Sequence, residues 1–189
     1  KKLMGIVSRE IDRLNGLITE FLEYVRPEQK ATTLVDLNPL TREVMEMIRF
    51  NAKLRQDVEQ KLELNARCQI RGNKDKLKQA LLNFVVNAYQ AMDKSPHPAL
   101  QIMTVDEGDK VVLVIRDNGC GIKKENLNRI FEPFHTTKPQ GSGLGLAITH
   151  KILEAHGARV LVDSEVGAGT RFLIEFPAER DAYTRDPLK

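Results

Sequence analysis

The sequence has few of the residues that build disulfide frameworks, aromatic cores or membrane spans. Tryptophan is absent and aromatic residues make up 5% of the chain, so aliphatic side chains must fill most of the core. Its two cysteines, Cys68 and Cys120, form neither a disulfide framework nor a metal motif, which favours a reducing compartment. No apolar run approaches the roughly 20 residues of a membrane span, and no signal peptide is visible.

Charge of one sign is also lacking. The 29 Lys and Arg residues are scattered among 26 Asp and Glu, for a net charge of +3, which argues against a nucleic-acid partner. Hydrophobic residues make up 41% of the 189 positions. That is enough for one compact domain with an appendage.

The first 25 residues carry an a/d heptad pattern, which predicts a helix that packs against another helix. An amphipathic helix lying on its own domain is the alternative. Pro27 ends the pattern, so we assign residues 1–30 to this helix and a linker. Because the chain begins inside the pattern without a methionine, we expect it to be a fragment. The apolar positions are Met4, Val7, Ile11, Leu14, Ile18, Phe21 and Val25.

Residues 31–178 mix strand and helix patterns, and hairpins dominate. We expect an α+β fold, an α/β sandwich of a mixed, mainly antiparallel sheet with helices on one face, followed by a loose polar tail over 179–189. The predicted strands cover residues 33–37, 58–64, 68–71, 99–106, 110–117, 160–164 and 170–176. The predicted helices are one capped by Asn38 with Pro39 at its first position, a long one that starts at Asn73 or Asp75 and runs to about 92, and two over about 123–130 and 143–156.

Two asparagines on the long helix are candidate ligands. Asn83 and Asn87 are four residues apart, so they share a helix face. Amide oxygens suit Mg²⁺, which an ATP site needs between its phosphates. Ordinary surface asparagines are the alternative.

Asp117 ends an apolar strand and enters Asn118-Gly119-Cys120-Gly121-Ile122. A carboxylate there can accept a hydrogen bond from an exocyclic amine, and the glycines allow a sharp turn next to a flat ring. A plain Asp-Asn-Gly turn is the alternative.

A second glycine run, Gly141-Ser142-Gly143-Leu144-Gly145-Leu146, opens a helix whose N–H groups can bind phosphate. It follows the polar loop 135–140, which we expect to be a mobile lid over a nucleotide. Lys138 in this loop can meet phosphate charge or be a solvated lysine. Just before it, Phe131-Glu132-Pro133-Phe134 can anchor the lid.

In this order, the four motifs resemble the N box, first glycine box, F box and second glycine box of the ATP-binding domain of sensor histidine kinases. That fold is shared with DNA gyrase, heat-shock chaperones and mismatch-repair ATPases. The resemblance covers about residues 32–177. The segments 10–14 and 21–27 also resemble the second helix of the family's dimerisation and phosphotransfer domain.

The resemblance implies ATP and Mg²⁺ as cofactors and gives each residue a role. Asn87 would be the principal Mg²⁺ ligand, with Asn83 nearby, and Asp117 would recognise the adenine amino group. Thr170 would support the adenine through water. Gly119 and Gly121 would shape the adenine pocket, and the phosphates and lid hinge would lie against Gly141, Gly143 and Gly145 with the Leu144 and Leu146 backbone. We add Ile122, Ser142 and Lys138 to the candidate ATP-binding residues.

The chain departs from the family in two ways. Gln90 stands where many members carry a lysine, and the phosphate-accepting histidine box is missing. The resemblance therefore implies a histidine kinase in which this fragment binds ATP but cannot phosphorylate itself. Expected partners are an acceptor-histidine helix of the same or a partner subunit, a response-regulator receiver domain and a second subunit. We expect a cytoplasmic location, with or without a membrane anchor elsewhere.

Two other functions remain open at this stage. One is an ATP-hydrolysing clamp of the gyrase or chaperone type. Such enzymes carry a glutamate base one turn before the metal asparagine, and here that position is Asn83. The other is a nucleotide-binding scaffold without catalysis.

Overall fold

The computed structural model describes residues 2–25, 33–52, 54–138 and 141–179. The first helix, α1, spans Lys2–Val25. The helices that follow are α2 (Leu37–Arg49), α3 (Lys74–Ala91), α4 (Lys124–Leu127) and α5 (Gly145–Ala155). The strands are β1 (Thr33–Val35), β2 (Glu59–Leu64), β3 (Gln69–Gly72), β4 (Ala99–Glu107), β5 (Lys110–Asp117), β6 (Arg159–Glu165) and β7 (Gly169–Glu179). No helix in these ranges is long and apolar enough to cross a membrane.

The seven described strands form one mixed sheet in the order β1-β3-β7-β5-β4-β2, with β6 also paired to β7. Only the β2–β4 pair among them is parallel. This confirms the predicted mainly antiparallel sheet. In the β5–β7 register Asp117 lies opposite Thr170, so these two residues meet at one end of the sheet.

The core lies between one face of this sheet and helices α2 and α3. Alternate residues of β5, including Val111, Leu113 and Ile115, are buried in it together with Phe84 and Val85 of α3. Burying each such side chain contributes roughly 1.5–3 kcal/mol. Helix α3 packs against both α2 and α5, so its remaining polar face is held at a fixed place beside α5.

The start of α2 differs from its prediction. Asp36, not Asn38, is the N-cap, and its side chain accepts the Asn38 N–H at 2.8 Å. The helix therefore begins two residues earlier than predicted, and Pro39 lies within its first turn, where proline is tolerated. The Asn38 side chain instead links the β2–β3 connection to β4. It donates to the Ala66 carbonyl at 2.8 Å and accepts from the Thr104 hydroxyl at 2.5 Å.

At the start of α3 the structure decides between the two predicted first residues, Asn73 and Asp75, because Asn73 is the N-cap. The Asn73 side chain accepts the N–H groups of Asp75 and Lys76 at 3.1 and 3.2 Å. Buried His156, at the end of α5, accepts the Asn73 N–H at Nε2 over 2.9 Å. Its Nδ1 lies 2.6 Å from the Ile152 carbonyl, so Nδ1 carries the proton. One neutral imidazole thus ties the end of α5 to the beginning of α3.

Other boundaries shift by a few residues. Helix α4 is a single turn, shorter than the predicted 123–130, and α5 begins at Gly145 rather than 143. Strand β7 runs on to Glu179, because residues 178 and 179 pair with β3. The predicted linker around Pro27 and the tail beyond residue 179 lie outside the described residues.

Candidate functional site

Asp117 is a buried carboxylate at the end of β5, only 5% exposed. Burial raises its pKa above the ordinary aspartate value, although hydrogen bonding from the Gly119 and Thr170 backbone and the charge of Lys138 oppose the rise. The Gly119 N–H donates to Oδ1 at 2.8 Å. A carboxylate has about four lone-pair sites, so Asp117 can still accept a hydrogen bond from a ligand.

The glycines after Asp117 are required by packing against the protein itself. A Cβ at Gly119 would lie 2.6 Å from the Ala91 carbonyl carbon, and one at Gly121 would lie 2.0 Å from the Glu165 carbonyl oxygen. Gly121 also has a φ of 69°, which other residues rarely adopt. The loop is thereby pressed between the end of α3 and the β6–β7 turn. Beside it, the Cys120 N–H donates to the Ala91 carbonyl at 3.0 Å.

Thr170 belongs to a hydroxyl pair that the sequence did not predict. Its Oγ1 lies 2.9 Å from the Ser164 Oγ. That hydroxyl also accepts the Ile122 N–H at 2.8 Å and donates to the Gly169 carbonyl at 2.9 Å. Three predicted site residues, Asp117, Ile122 and Thr170, therefore lie around one end of the sheet. Ser164 completes the group because it lies opposite Thr170 in the β6–β7 register.

Two further residues, whose roles the sequence did not predict, hold the end of the sheet and the end of α3 in place. The Asn118 side chain donates to the His97 carbonyl at 2.7 Å and accepts the Ala99 N–H at 2.9 Å. The Arg55 guanidinium donates to the Met92 carbonyl at 2.6 Å. Nothing in the sequence marks Arg55, which lies in a loop between α2 and β2. Asn118, in contrast, stands inside a motif and its type suits a turn.

On the polar face of α3, the Lys138 ammonium is hydrogen-bonded to the side-chain oxygen of Asn87. Its Nζ donates to Asn87 Oδ1 at 2.7 Å and also to the Gln90 Oε1. Burial lowers the pKa of Lys138 below the ordinary lysine value, although the charge of Asp117 is among the influences that oppose the fall. The remaining part of the predicted lid, residues 139 and 140, lies outside the described residues.

Asn83 shares the helix face with Asn87 but has different partners. Its amide nitrogen donates to the Gly145 carbonyl at 3.3 Å and to the Thr149 hydroxyl at 3.2 Å. The Thr149 hydroxyl in turn donates to the Gly145 carbonyl at 2.9 Å. The amide of Asn83 therefore fixes α3 against the first turn of α5.

The second glycine run joins the base of the lid to α5. The Phe134 N–H donates to the Gly143 carbonyl at 3.0 Å, and a Cβ at Gly143 would lie 2.5 Å from the Phe134 carbonyl carbon. Phe134 has a φ of 64°, uncommon for a residue with a side chain. The Ser142 hydroxyl accepts the Leu144 N–H at 3.2 Å.

Open space lies at the start of α5. A Cβ at Gly145 would meet no atom within 4 Å. The first N–H groups of a helix have no partner inside it and carry partial positive charge. Leu144 and Ile148 are buried against Ala80 of α3, so this helix start is fixed in position. Its geometry suits an anion.

These observations test whether Mg-ATP fits the residues present. Asn87 already binds a cation, the Lys138 ammonium, and an anion would fill the space at Gly145. The described residues contain no group of three or more His, Cys, Asp or Glu that could hold a metal. A magnesium ion at Asn87 would take its other ligands from phosphate and water, which is usual for this ion. The residues fit the group.

Comparison with known proteins decides the family. The model of the histidine kinase-, DNA gyrase B- and HSP90-like ATPases matches residues 72–180. The chain belongs to this family. That span of the family match runs from the end of β3 through β7 and includes every predicted site residue.

Relatives narrow this to the histidine kinase branch. The sensor histidine kinase ZraS of Escherichia coli is 35% identical over 177 residues, 93% of this chain and 37% of that protein. The isolated catalytic domain of histidine kinase ThkA is 31% identical, with a TM-score of 0.67 over 77% of this chain and 94% of its own. This family member is thus an ATP-binding catalytic domain of the sensor histidine kinase type.

Larger structures extend the likeness to the N-terminal helix. ThkA in complex with the response regulator TrrA matches 95% of this chain and 51% of its own, at 28% identity and a TM-score of 0.75. Full-length ShkA in complex with AMPPNP matches 96% of this chain and 39% of its own, at 26% identity and a TM-score of 0.79. The chain spans about 37% of the length of ZraS.

Proposed function

We propose that this domain binds Mg-ATP and transfers its γ-phosphoryl group to a histidine on a separate helix, from which the phosphoryl passes to a response-regulator aspartate. The observation that carries the proposal is the pairing of a cation-binding amide, Asn87, with a helix start left open at Gly145. Asn83, one turn before Asn87 on α3, donates to the Gly145 carbonyl, so the positive and negative parts of one ligand would lie close together there, as the metal and phosphates of a nucleotide do.

Two groups of residues would bind the two ends of the nucleotide, the adenine and the phosphates. Asp117 would accept the adenine amino group, supported by Thr170 and by the loop of Gly119, Gly121 and Ile122. The phosphates would lie against the N–H groups of the second glycine run, with Lys138 as a counter-charge. Asn87 would hold Mg²⁺, which neutralises the charge that develops on the phosphates during transfer. The protein contributes chiefly position and charge.

The acceptor histidine is proposed to come from another helix, because the four histidines of this chain have other places. His156 is a buried structural link, and His150 lies within α5 with its Nδ1 3.4 Å from Glu154. His97 lies in the turn before β4 and His135 beside Phe134. A cleft of about 550 Å³ opens between α1 and the second glycine run, lined by Ile18, Phe21, Phe134 and Gly141 among others. A helix carrying the histidine would approach there.

The rest of the signalling arrangement follows the same proposal. Residues 1–30 would be the second helix of a dimeric bundle and its linker, residues 31–178 the catalytic domain, and 179–189 a polar tail. ThkA binds a response regulator, and we infer a receiver domain as the partner here. Neither Cys68 nor Cys120 is in a disulfide, which together with the need for ATP favours the cytoplasm.

Efficient ATP hydrolysis is the weaker candidate. A hydrolysing clamp needs a general base one turn before the metal ligand, and that position is Asn83. An amide cannot take the proton, and its nitrogen is bonded to Gly145 and Thr149. No contact of the described residues favours hydrolysis over transfer.

Nucleotide titration of Asp117→Asn tests the ATP site. An asparagine would present an amine or a neutral oxygen to the adenine amino group, so we expect ATP affinity to fall about tenfold or more, the effect of losing one charge-assisted hydrogen bond. Asp163→Asn, an exposed change on β6, is the matched control and should leave affinity unchanged. Equal affinity in wild type and Asp117→Asn would refute the assignment.

Phosphotransfer is tested by adding a separate histidine-bearing helix of the bundle. With ATP, the mixture should form an acid-labile phosphoprotein, and Asn87→Ala should reduce its rate strongly because the metal loses its protein ligand. Phosphate release to water without labelled helix would favour the hydrolysing clamp. Tight ATP binding without either product would favour a scaffold.

A further inference from the structure

The side chains of Asn87 and Gln90 form a cradle of two amide oxygens that already contains a cation. The Lys138 ammonium donates to Oδ1 of Asn87 at 2.7 Å and to Oε1 of Gln90. Both amides lie on α3 one turn apart and Lys138 comes from the loop before α5, so the contact joins two separate segments. Gln90 is the feature that sets this chain apart, because the family resemblance leads one to expect a lysine there.

We propose that Lys138 is a resident counter-cation of the metal position, held there by Gln90, and that Mg²⁺ reaches Asn87 only when nucleotide phosphates draw the ammonium away. This inference rests on the proposed function and concerns the order of events at the same site. It makes Gln90 a positioning residue, because Gln90 acts through its contact with Lys138.

Electrostatics support competition between the two cations. An ammonium and a divalent ion that share one amide oxygen would be a few ångströms apart, where like charges repel strongly. Asn87 can therefore serve Lys138 or the metal, but not both. Magnesium gives up its water ligands reluctantly. Without nucleotide there is no phosphate whose attraction offsets this cost, so the Lys138 ammonium stays at the Asn87 oxygen.

A neutral residue at position 90 is what permits this arrangement. A lysine there would place a second ammonium against Lys138 and would expel it from Asn87. Gln90 instead offers an oxygen, and it lies on the exposed part of α3, where nothing in the core requires an amide. The positive charge expected on the helix is thus supplied by the loop.

The test is the effect of Mg²⁺ on nucleotide affinity. Calorimetric titration gives the dissociation constant of ADP in saturating Mg²⁺ and in EDTA, and the ratio of the two, EDTA over Mg²⁺, is the quantity to compare. ADP avoids turnover. In wild type this ratio should be small, because Lys138 neutralises the phosphates without metal and obstructs the metal when it is present.

Lys138→Met should raise this ratio about tenfold, chiefly because ADP binding in EDTA becomes weaker, as expected for the loss of one charge-assisted hydrogen bond. Gln90→Leu should raise it by a smaller factor, because Lys138 loses its holder but keeps its charge. Gln90→Glu keeps an acceptor and should hold the ratio at or below the wild-type value. Lys124→Met, on α4, should change nothing.

Two results would overturn the inference while leaving the ATP site intact. If Lys138→Met weakened ADP by the same factor in both buffers, Lys138 would be an ordinary phosphate ligand that does not compete with metal. If it changed neither constant, the contact would have no role. Failure of wild type to bind ADP in either buffer would instead refute the proposed function. Thermal unfolding of each variant checks that it is folded.

Discussion

Burial of Asp117 favours its protonated form, whereas recognition of the adenine amino group needs its charged form. An ordinary aspartate has a pKa of about 4. Burial raises the pKa of the Asp117 carboxyl, so Asp117 gains its proton at a higher pH than that. Protonation removes the negative charge that favours the adenine amino group. We therefore expect nucleotide affinity of the wild type to fall as the pH is lowered through this raised pKa.

The measurement is the ADP dissociation constant across this pH range for wild type and Asp117→Asn. Dividing one constant by the other cancels the titration of the nucleotide's own phosphates. The advantage of wild type over the variant should shrink as pH falls through the raised pKa. An advantage that stayed constant from neutral pH down to about 4 would contradict the argument.

Asn83 makes a different prediction, about stability. Its amide nitrogen donates to the Gly145 carbonyl and the Thr149 hydroxyl, so Asn83→Asp would set a carboxylate against the carbonyl. We expect a loss of about 1–3 kcal/mol in the free energy of unfolding, the usual cost of an unsatisfied polar contact. Denaturant unfolding measures it. Asn87→Asp is the matched control and should cost less, because its partner Lys138 attracts a carboxylate.

At the scale of elements, a substitution in the first turn of α5 should affect stability and nucleotide binding differently. Gly145→Ala adds a methyl group where no atom lies within 4 Å, and alanine favours a helix by up to about 1 kcal/mol over glycine. The unfolding temperature should hold or rise. Phosphate would occupy that same space, so nucleotide affinity should fall severalfold or more.

Gly143→Ala provides the contrast. Gly143 has a φ of 71° and a Cβ there would collide with the Phe134 backbone, so this variant should lose stability as well as affinity. Thermal unfolding with and without ADP distinguishes the two glycines. Unchanged ADP affinity in Gly145→Ala would mean that phosphate lies elsewhere.

The sequence predicted the helices and strands, but not all of their ends and not the contacts between residues far apart in the chain. The heptad pattern predicted α1, and the sequence placed the start of α3 at Asn73 or Asp75, of which Asn73 is the cap. Asp36 and Asn38 are both good caps by type, and only the strand ending at Val35 decides between them. Contacts such as Arg55 with the end of α3 join residues 37 apart, and no local pattern contains that information.

The candidate site divides in the same way. Asp117 and the glycine runs were predicted because local spacing defines them. The bond from Lys138 to Gln90 joins residues 48 apart, so its existence depends on how the loop folds over α3. Ser164 was missed because a serine in an alternating strand is ordinary until its neighbour Thr170 is known.

At the scale of the whole molecule, α1 has two kinds of surface. Near its end it contacts the catalytic domain. The Phe21 and Phe134 rings stack with centroids 6.4 Å apart, the Lys151 ammonium lies 5.3 Å from the centre of the Tyr24 ring, and Glu23 pairs with Lys76 at 2.8 Å. Earlier in the helix, apolar residues of the heptad pattern, such as Ile11 and Leu14, are more than half exposed.

This exposed part of the pattern predicts self-association through α1. A row of exposed apolar residues at heptad spacing buries itself by pairing with a second helix. Leu14→Glu would place a charge in that row, so we expect the dimer dissociation constant, measured by sedimentation, to rise at least about tenfold, as for burying one unpaired charge. Asn15→Glu adds the same charge one residue outside the row and should leave association unchanged. ADP affinity should be equal in all three proteins, because residue 14 lies outside the nucleotide site. Equal association of Leu14→Glu and wild type would show that α1 is a helix lying on its own domain, the alternative that its sequence pattern left open.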